Sequence, residues 1–431
     1  MLNRFFKLNE NGTTVRTEIN AGITTFLTMV YIIFVNPVIL GNAGVPSGQV
    51  FMATIISALV GTLLMALLAN YPIAIAPGMG LNAYFVTVVT KYGLSYTIVF
   101  GAVFIAGVIF LLLSFTSLRE KLIEAIPNSL KFGITSGIGL FIAFLGLQFS
   151  GIIVDGGEAG LLTLGNLQAP NTLLSIAGLF ITLILMARNV KGALFYGIVI
   201  TAIIAYFTNQ LQFNGFMSMP PTPVFFEMDI AGVFTEGLYA VVFAFLLVTI
   251  FDTTGTLVGV AEQAGFMKDG KMPKARPALM ADAIATTVGS TFGSSPSTAY
   301  VESTSGVAAG GRTGLTSLVI AGLFFLSMFF SPFIQAISGV SAITAPVLII
   351  VGCFMMEGLS RVDWKSFDEA FPSFIIILTM PLTSSIATGI AMGFITYPLL
   401  KVVSGKGKDV SWLLYLFGIL FAIQLVFFPA H

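Results

Sequence analysis

The stretch TIFDTTGTLVG, residues 249–259, follows AVVFAFLLV with no polar side chain before Thr249. Asp252 then appears among threonines and glycines. A charge at the centre of a bilayer costs roughly 2.5–3.5 kcal/mol on insertion scales. A carboxylate in such a run therefore faces a polar cavity, pairs with a cation, or holds a proton. Which of these applies decides both the fold and the function.

The surroundings are a membrane protein's. Of 431 residues, 56% are hydrophobic and only 9% charged, and mean hydropathy is +0.98. A soluble domain carries about 25% charged residues, so this chain cannot cover a water-facing surface. A net charge of zero argues against nucleic acid as a partner. The single cysteine, Cys353, excludes an internal disulfide, and with His431 the only histidine no zinc site can be assembled. No metal or other cofactor is expected. The polar start, MLNRFFKLNENGTTVRTE, does not read as a secretory leader.

A spanning helix needs about 20 apolar residues. Spans are predicted at 19–40, 50–70, 73–90, 95–116, 130–150, 172–187, 193–211, 238–261, 278–293, 298–310, 314–335, 341–357, 371–384 and 386–403, fourteen in all. Residues 411–429 form a fifteenth or lie at the interface. With the N-terminus in the cytoplasm, every Lys and Arg except Lys91 falls inside, while Asp155, Glu158, Glu227, Asp229 and Glu236 fall outside. Seven spans precede residue 212 and seven follow 237, so the halves are inverted relative to each other. PGMGLNAYF (77–85) is echoed by PSTAYVE (296–302), each placing a proline and small residues before a short apolar helix. Broken spans at matching places in two halves point to a transporter's binding site.

Three carboxylates fall inside spans, Asp252, Asp282 and Glu302, and no Lys or Arg is placed to pair with any of them. Asp252 and Glu302 are read as binding a polar solute and exchanging a proton. A structural reading, a carboxyl capping a backbone break beside Gly255, stands beside this. For Asp282, near Arg276, a structural role weighs as much. A helix starting at mid-membrane exposes free N–H groups, and irregular backbone there must line a cavity or pack in protein. Gly78, Gly80 and Asn82 on one side, and Ser294 to Thr298 on the other, would line one pocket. Phe251, Tyr84, Phe85 and Tyr300 could stack on a ring, although packing is the commoner role for each. Carboxylates without a basic neighbour suit a neutral solute rich in N–H donors, or a cation, and the edge of a nucleobase fits.

At these residues the chain resembles the nucleobase–ascorbate transporter superfamily, and within it the AzgA-like purine permeases. The similar stretches are NAGITTFLTMVYIIFVNP (20–37), APGMGLNAYF (76–85), FDTTGTLVGVAEQAG (251–265), ADAIATTVGSTFGSSPSTAYVESTSGVAAGGRTG (281–314) and PLTSSIATGIAMG (381–393). The resemblance implies an all-α polytopic fold of fourteen transmembrane segments in two inverted repeats of seven. Two half-helices, the third and tenth segments, would follow short strands. It divides the chain into a cytoplasmic N-terminus (1–18), core (19–116 and 238–335), gate (117–211 and 336–403), a linker (212–237) and a C-terminal segment (404–431). It implies substrate-binding roles for Asp252, Glu302, Gly80 and Asn82, joined by Tyr84 and Thr298 from the pocket reading. Proton coupling would involve Asp252, Glu302 and Asp282. Thr388 stands where some purine permeases of this branch carry an acid.

The expected function is proton-coupled uptake of purine nucleobases, guanine and hypoxanthine first, across the cell membrane by alternating access. The partners are a purine base, a proton and the lipid bilayer; monomer and homodimer stay open. Alternatives are an adenine-preferring or uncoupled nucleobase permease, an anion carrier of the same architecture, and an intramembrane aspartyl hydrolase.

Overall fold

The computed structural model describes residues 2–116, 125–157, 162–213, 215–267 and 272–427. The first half comprises α1 (Leu2–Phe6), α2 (Val15–Met29), α3 (Ile32–Gly41), α4 (Ser47–Leu64), β1 (Ile75–Pro77), α5 (Met79–Tyr92) and α6 (Tyr96–Ser114). It continues through α7 (Asn128–Phe149), β2 (Ile153–Asp155), β3 (Leu162–Leu164), α8 (Pro170–Ala187) and α9 (Ala193–Phe207). The second half comprises α10 (Ile230–Thr235), α11 (Tyr239–Gln263), α12 (Ala275–Thr291), β4 (Ser297–Ala299), α13 (Ser303–Ala308), α14 (Gly314–Ser327) and α15 (Ser331–Ser338). It ends with α16 (Ser341–Met355), α17 (Phe367–Leu382), α18 (Ile386–Val403) and α19 (Trp412–Phe427).

Among the described residues, nine helical segments are long and apolar enough to cross a membrane. The other expected spans are the shorter helices α5, α9, α12, α13 and α17. Two of these are short for a visible reason. Strand and turn consume the start of each predicted span, so 298–310 contains a helix only from Ser303 to Ala308. A second antiparallel ladder, β2 with β3, lies in the loop after α7 and was not expected from the sequence.

The strands β1 and β4 pair antiparallel, with Ala76 opposite Thr298 and Pro77 opposite Ser297. So small a sheet leaves its outer edges unpaired, which is costly away from water. Two threonines fill them in the same way. Thr62 on α4 accepts from Ile75 N–H at 3.0 Å and donates to Ile75 C=O at 2.9 Å. Thr286 on α12 accepts from Ser297 N–H at 3.0 Å and donates to Ser297 C=O at 3.4 Å. Each serves the first residue of its strand, so the two halves repeat one device about a local two-fold.

The helices pack in two groups. One joins α2, α4, α6, α12 and α14; the other joins α7, α8, α9, α16, α17 and α18. Glycine sets the closest approach in the second group. A Cβ on Gly139 of α7 would lie 2.8 Å from the Gly352 carbonyl of α16, so neither helix tolerates a side chain at that crossing.

Candidate functional site

The strand pair points the first turns of α5 and α13 toward each other between α11 and α2. Thr298 of β4 lies beside the Asp252 carboxylate on α11. Asp252, Tyr300 and Glu302 lie close enough to interact electrostatically. Tyr300 is held by its hydroxyl, which donates to the Pro77 carbonyl at 2.6 Å. Glu302 sits at the N-cap of α13, and its side-chain oxygen accepts a short hydrogen bond from the Tyr31 hydroxyl. Tyr31 occupies the break between α2 and α3. Close by, the hydroxyls of Thr28 and Ser305 are 3.0 Å apart.

Asn82 is fully buried on α5. Its carbonyl oxygen accepts from the Ser295 hydroxyl, and its amide nitrogen has no hydrogen-bond partner among the described residues. Asp282, fully buried on α12, accepts from the Thr253 hydroxyl at 2.5 Å. Thr298, Asp252 and Glu302 thus belong to one neighbourhood, with Asp282 linked to it through Thr253. At Gly80, in the first turn of α5, a Cβ would run into Ile138 of α7, so its bare backbone lets α5 approach that helix.

The aromatic candidates divide. The Tyr84 ring packs 4.7 Å from Phe245, and Phe85 lies 4.7 Å from Phe100. The Phe251 side chain lies outside the described residues. Tyr84 also lines a small cleft with Lys91, Tyr92, Ser385 and Thr388. Thr388 donates to Ser385 at 2.9 Å within the first turn of α18.

Among the described residues, neither Asp252 nor Glu302 forms an ion pair. Lys401 lies inside the 386–403 span, but it pairs with Asp368 at 2.8 Å and Glu369 at 2.6 Å. Lys406 joins Asp368 at 3.0 Å. This ion network was not expected from the sequence.

The face of α11 that carries Asp252 is packed at one end and open at the other. On the face of α11 that carries it, Val241, Ala244, Phe245 and Val248 toward the N-terminus are buried. Toward the C-terminus, the same face presents Gly255, Gly259 and Glu262, all exposed. At Gly255 and Gly259 a Cβ would meet nothing within 4 Å. The C-terminal half of α11 therefore presents an open, unpacked face that begins one turn below Asp252.

Sequence reasoning passed over Tyr31, Thr253 and Glu18. A tyrosine in MVYIIF carries no local polar signal, and its partner is 271 residues away. Thr253 stood beside Asp252 in the opening stretch, but its 100° rotation around the helix sends it to a different carboxylate.

Comparison with known proteins extends this picture. A Permease family model, Xan_ur_permease, matches residues 16–392. The guanine/hypoxanthine permease PbuO of Bacillus subtilis (strain 168) is 59% identical over 97% of this chain and 99% of its own length. The adenine permease AdeP of Escherichia coli (strain K12) is 46% identical, covering 100% of this chain and 97% of its own. In fold, the transmembrane domain of a cyanobacterium bicarbonate transporter, BicA, superposes with a TM-score of 0.67 over 86% of this chain and 96% of its own, at 17% identity. With a family model spanning most of its length and relatives matched end to end, this chain belongs to the nucleobase–ascorbate transporter family of membrane permeases.

Proposed function

We propose that this protein imports purine nucleobases, guanine and hypoxanthine first, together with a proton, by alternating access across the cell membrane. In this reading the chain crosses fourteen times with its N-terminus in the cytoplasm. The helices around α12 form the core, and those around α7 form the gate. The observation that carries the reading is the meeting of Asp252, Thr298 and Glu302 at the paired strand ends, with no cation paired to either acid among the described residues. Carboxylates there accept N–H donors from a flat, neutral heterocycle and disfavour an anion.

Asn82 bears on which base. Its carbonyl accepts from Ser295 and its amide nitrogen is unpartnered among the described residues, which leaves N–H donors for a ligand. Those suit the exocyclic oxygen of guanine or hypoxanthine, where adenine carries an amino group. The end-to-end similarity to PbuO favours the same pair of bases. Adenine is the second reading, because AdeP is also similar along its whole length.

The test is uptake of radiolabelled hypoxanthine in cells lacking other purine carriers, competed with each natural base. Guanine and hypoxanthine should compete and adenine should not. Competition by adenine alone would replace the first reading with the second. Collapsing the proton gradient should abolish accumulation above equilibrium; accumulation that survives would remove the proton from the mechanism.

The open face of α11 below Asp252 gives a second expected result. In this topology it lies toward the cytoplasm. On a Cys353→Ser background, Gly255→Cys and Gly259→Cys should react with a charged thiol reagent at least about tenfold faster in inside-out than in right-side-out vesicles, since reactivity follows thiolate exposure. Val248→Cys, above Asp252, should resist from both sides. Preferential labelling from the outside would reverse the assignment.

A further inference from the structure

We infer that Tyr31 is a positioning residue for substrate binding: from the first span it fixes the Glu302 carboxylate in the neighbourhood of Asp252. The inference rests on the permease reading of the site. Tyr31 is buried near the middle of the apolar segment Val15–Gly41. A buried phenol needs a hydrogen-bond partner, and its hydroxyl donates to Glu302 Oε1.

The segment that carries Glu302 is too short to hold itself. Glu302 stands at the N-cap of α13, which has 6 residues. A helix of that length is marginal without outside support, and α2 supplies the support. Residues 18, 21, 25, 28 and 31 recur at steps of three and four, so they share one helix face. Each meets the chain that follows β4. Tyr31 holds Glu302, and the hydroxyls of Thr28 and Ser305 are 3.0 Å apart. One turn on, a Cβ at Gly306 would run into Thr25 Oγ1 and the Ala21 carbonyl, so the backbones touch there. Glu18 accepts from the N–H groups of Arg312, Thr313 and Thr316. The first span is thus a splint along α13, and Tyr31 is its rung at the site.

A phenol suits that rung. A carboxylate can accept about four hydrogen bonds, so one from Tyr31 leaves capacity for the N–H edge of a base. A lysine or arginine in the same place would pair with the charge and compete with a neutral base for it. A tyrosine ordinarily ionises only near about pH 10, so it orients the acid without cancelling its charge. Glu302 is only half-buried. Without the hydroxyl, its side chain would have to be ordered each time a base binds, and that cost is taken from the affinity of the base. The loss therefore falls on affinity and not on the rate at saturation.

The test uses the purified full chain in proteoliposomes, with initial rates of hypoxanthine counterflow measured against hypoxanthine concentration. Tyr31→Phe removes the hydroxyl and keeps the ring. Thr28→Val removes the neighbouring rung, whose partner is Ser305 and not the carboxylate, and so reports what a weaker splint does alone. In Tyr31→Phe, KM should rise at least about tenfold, the scale of a lost hydrogen bond to a charged group, with the maximal rate within about threefold of wild type. In Thr28→Val both constants should stay within about threefold of wild type. Melting temperatures in detergent are read with and without saturating hypoxanthine, since a ligand that binds the folded state raises them. That rise should shrink in Tyr31→Phe and persist in Thr28→Val.

An unchanged KM in Tyr31→Phe would overturn the inference. So would a fall in its maximal rate at unchanged KM, or equal rises of KM in both variants, which would make Tyr31 one packing contact among several. If Tyr31→Phe shows no counterflow, the melting rise decides: its survival overturns the inference and its loss supports it. Absence of both counterflow and the melting rise in the wild type would instead defeat the proposed function, leaving the two failures distinct.

Discussion

Asp252→Asn is expected to lower hypoxanthine uptake about 10–100-fold, with Glu302→Gln measured beside it. The change keeps the shape of the side chain and alters two of its properties. The charge is lost, and a hydrogen bond to a charged group contributes about 1.5–3 kcal/mol. At roughly 1.4 kcal/mol per factor of ten, that spans the stated range. An amide also presents N–H where the carboxylate accepted, so one orientation sets donor against donor. Glu302→Gln keeps an acceptor for the Tyr31 hydroxyl, and its deficit should fall more on gradient-driven accumulation than on counterflow. Initial uptake rates in cells, normalised to protein in the membrane, provide the measurement. Normal transport in both variants would overturn the site.

Glu18→Ala should produce the largest loss of stability. Glu18 is fully buried on α2, in reach of the start of α14. Its carboxylate accepts from Arg312 N–H at 2.9 Å, Thr313 N–H at 3.3 Å and Thr316 N–H at 3.1 Å, and from the Thr316 hydroxyl at 2.6 Å. An acidic group at a helix N-terminus satisfies free donors and meets the positive end of the dipole. Removing it strands several buried donors at about 1–3 kcal/mol each, so a total of roughly 3–5 kcal/mol is expected after partial hydration. In detergent the melting temperature should drop by about 5 °C or more. Glu18→Gln, which keeps one acceptor, should fall between. A melting temperature equal to wild type for Glu18→Ala would show that the cap contributes nothing.

The two predictions also show what local sequence reveals. Asp252 was legible because a carboxylate contrasts with an apolar helix. The half-helices were legible because Pro77 and Pro296 are backbone signals that need no partner to be recognised. Glu18 was not, because it closes a polar N-terminal stretch and looked like its last solvated charge. Its role depends on residues 294 positions away. Tyr31 and Lys401 were hidden for the same reason: each looks ordinary until its acidic partner arrives from a distant helix. The helix lengths were read too generously at 298–310, since hydropathy cannot tell a buried strand and turn from a helix. What the sequence concealed were pairings across the fold; what it displayed were contrasts within a few residues.

The open face of α11 below Asp252 bears on how fast the carrier can run. In the proposed import reading, it turns at rest toward the compartment that the carrier fills. As the internal pool of base grows, molecules re-enter from below and occupy the carrier before it can swing back empty. In that reading import slows as supply accumulates, a brake that needs no separate sensor and no second binding protein.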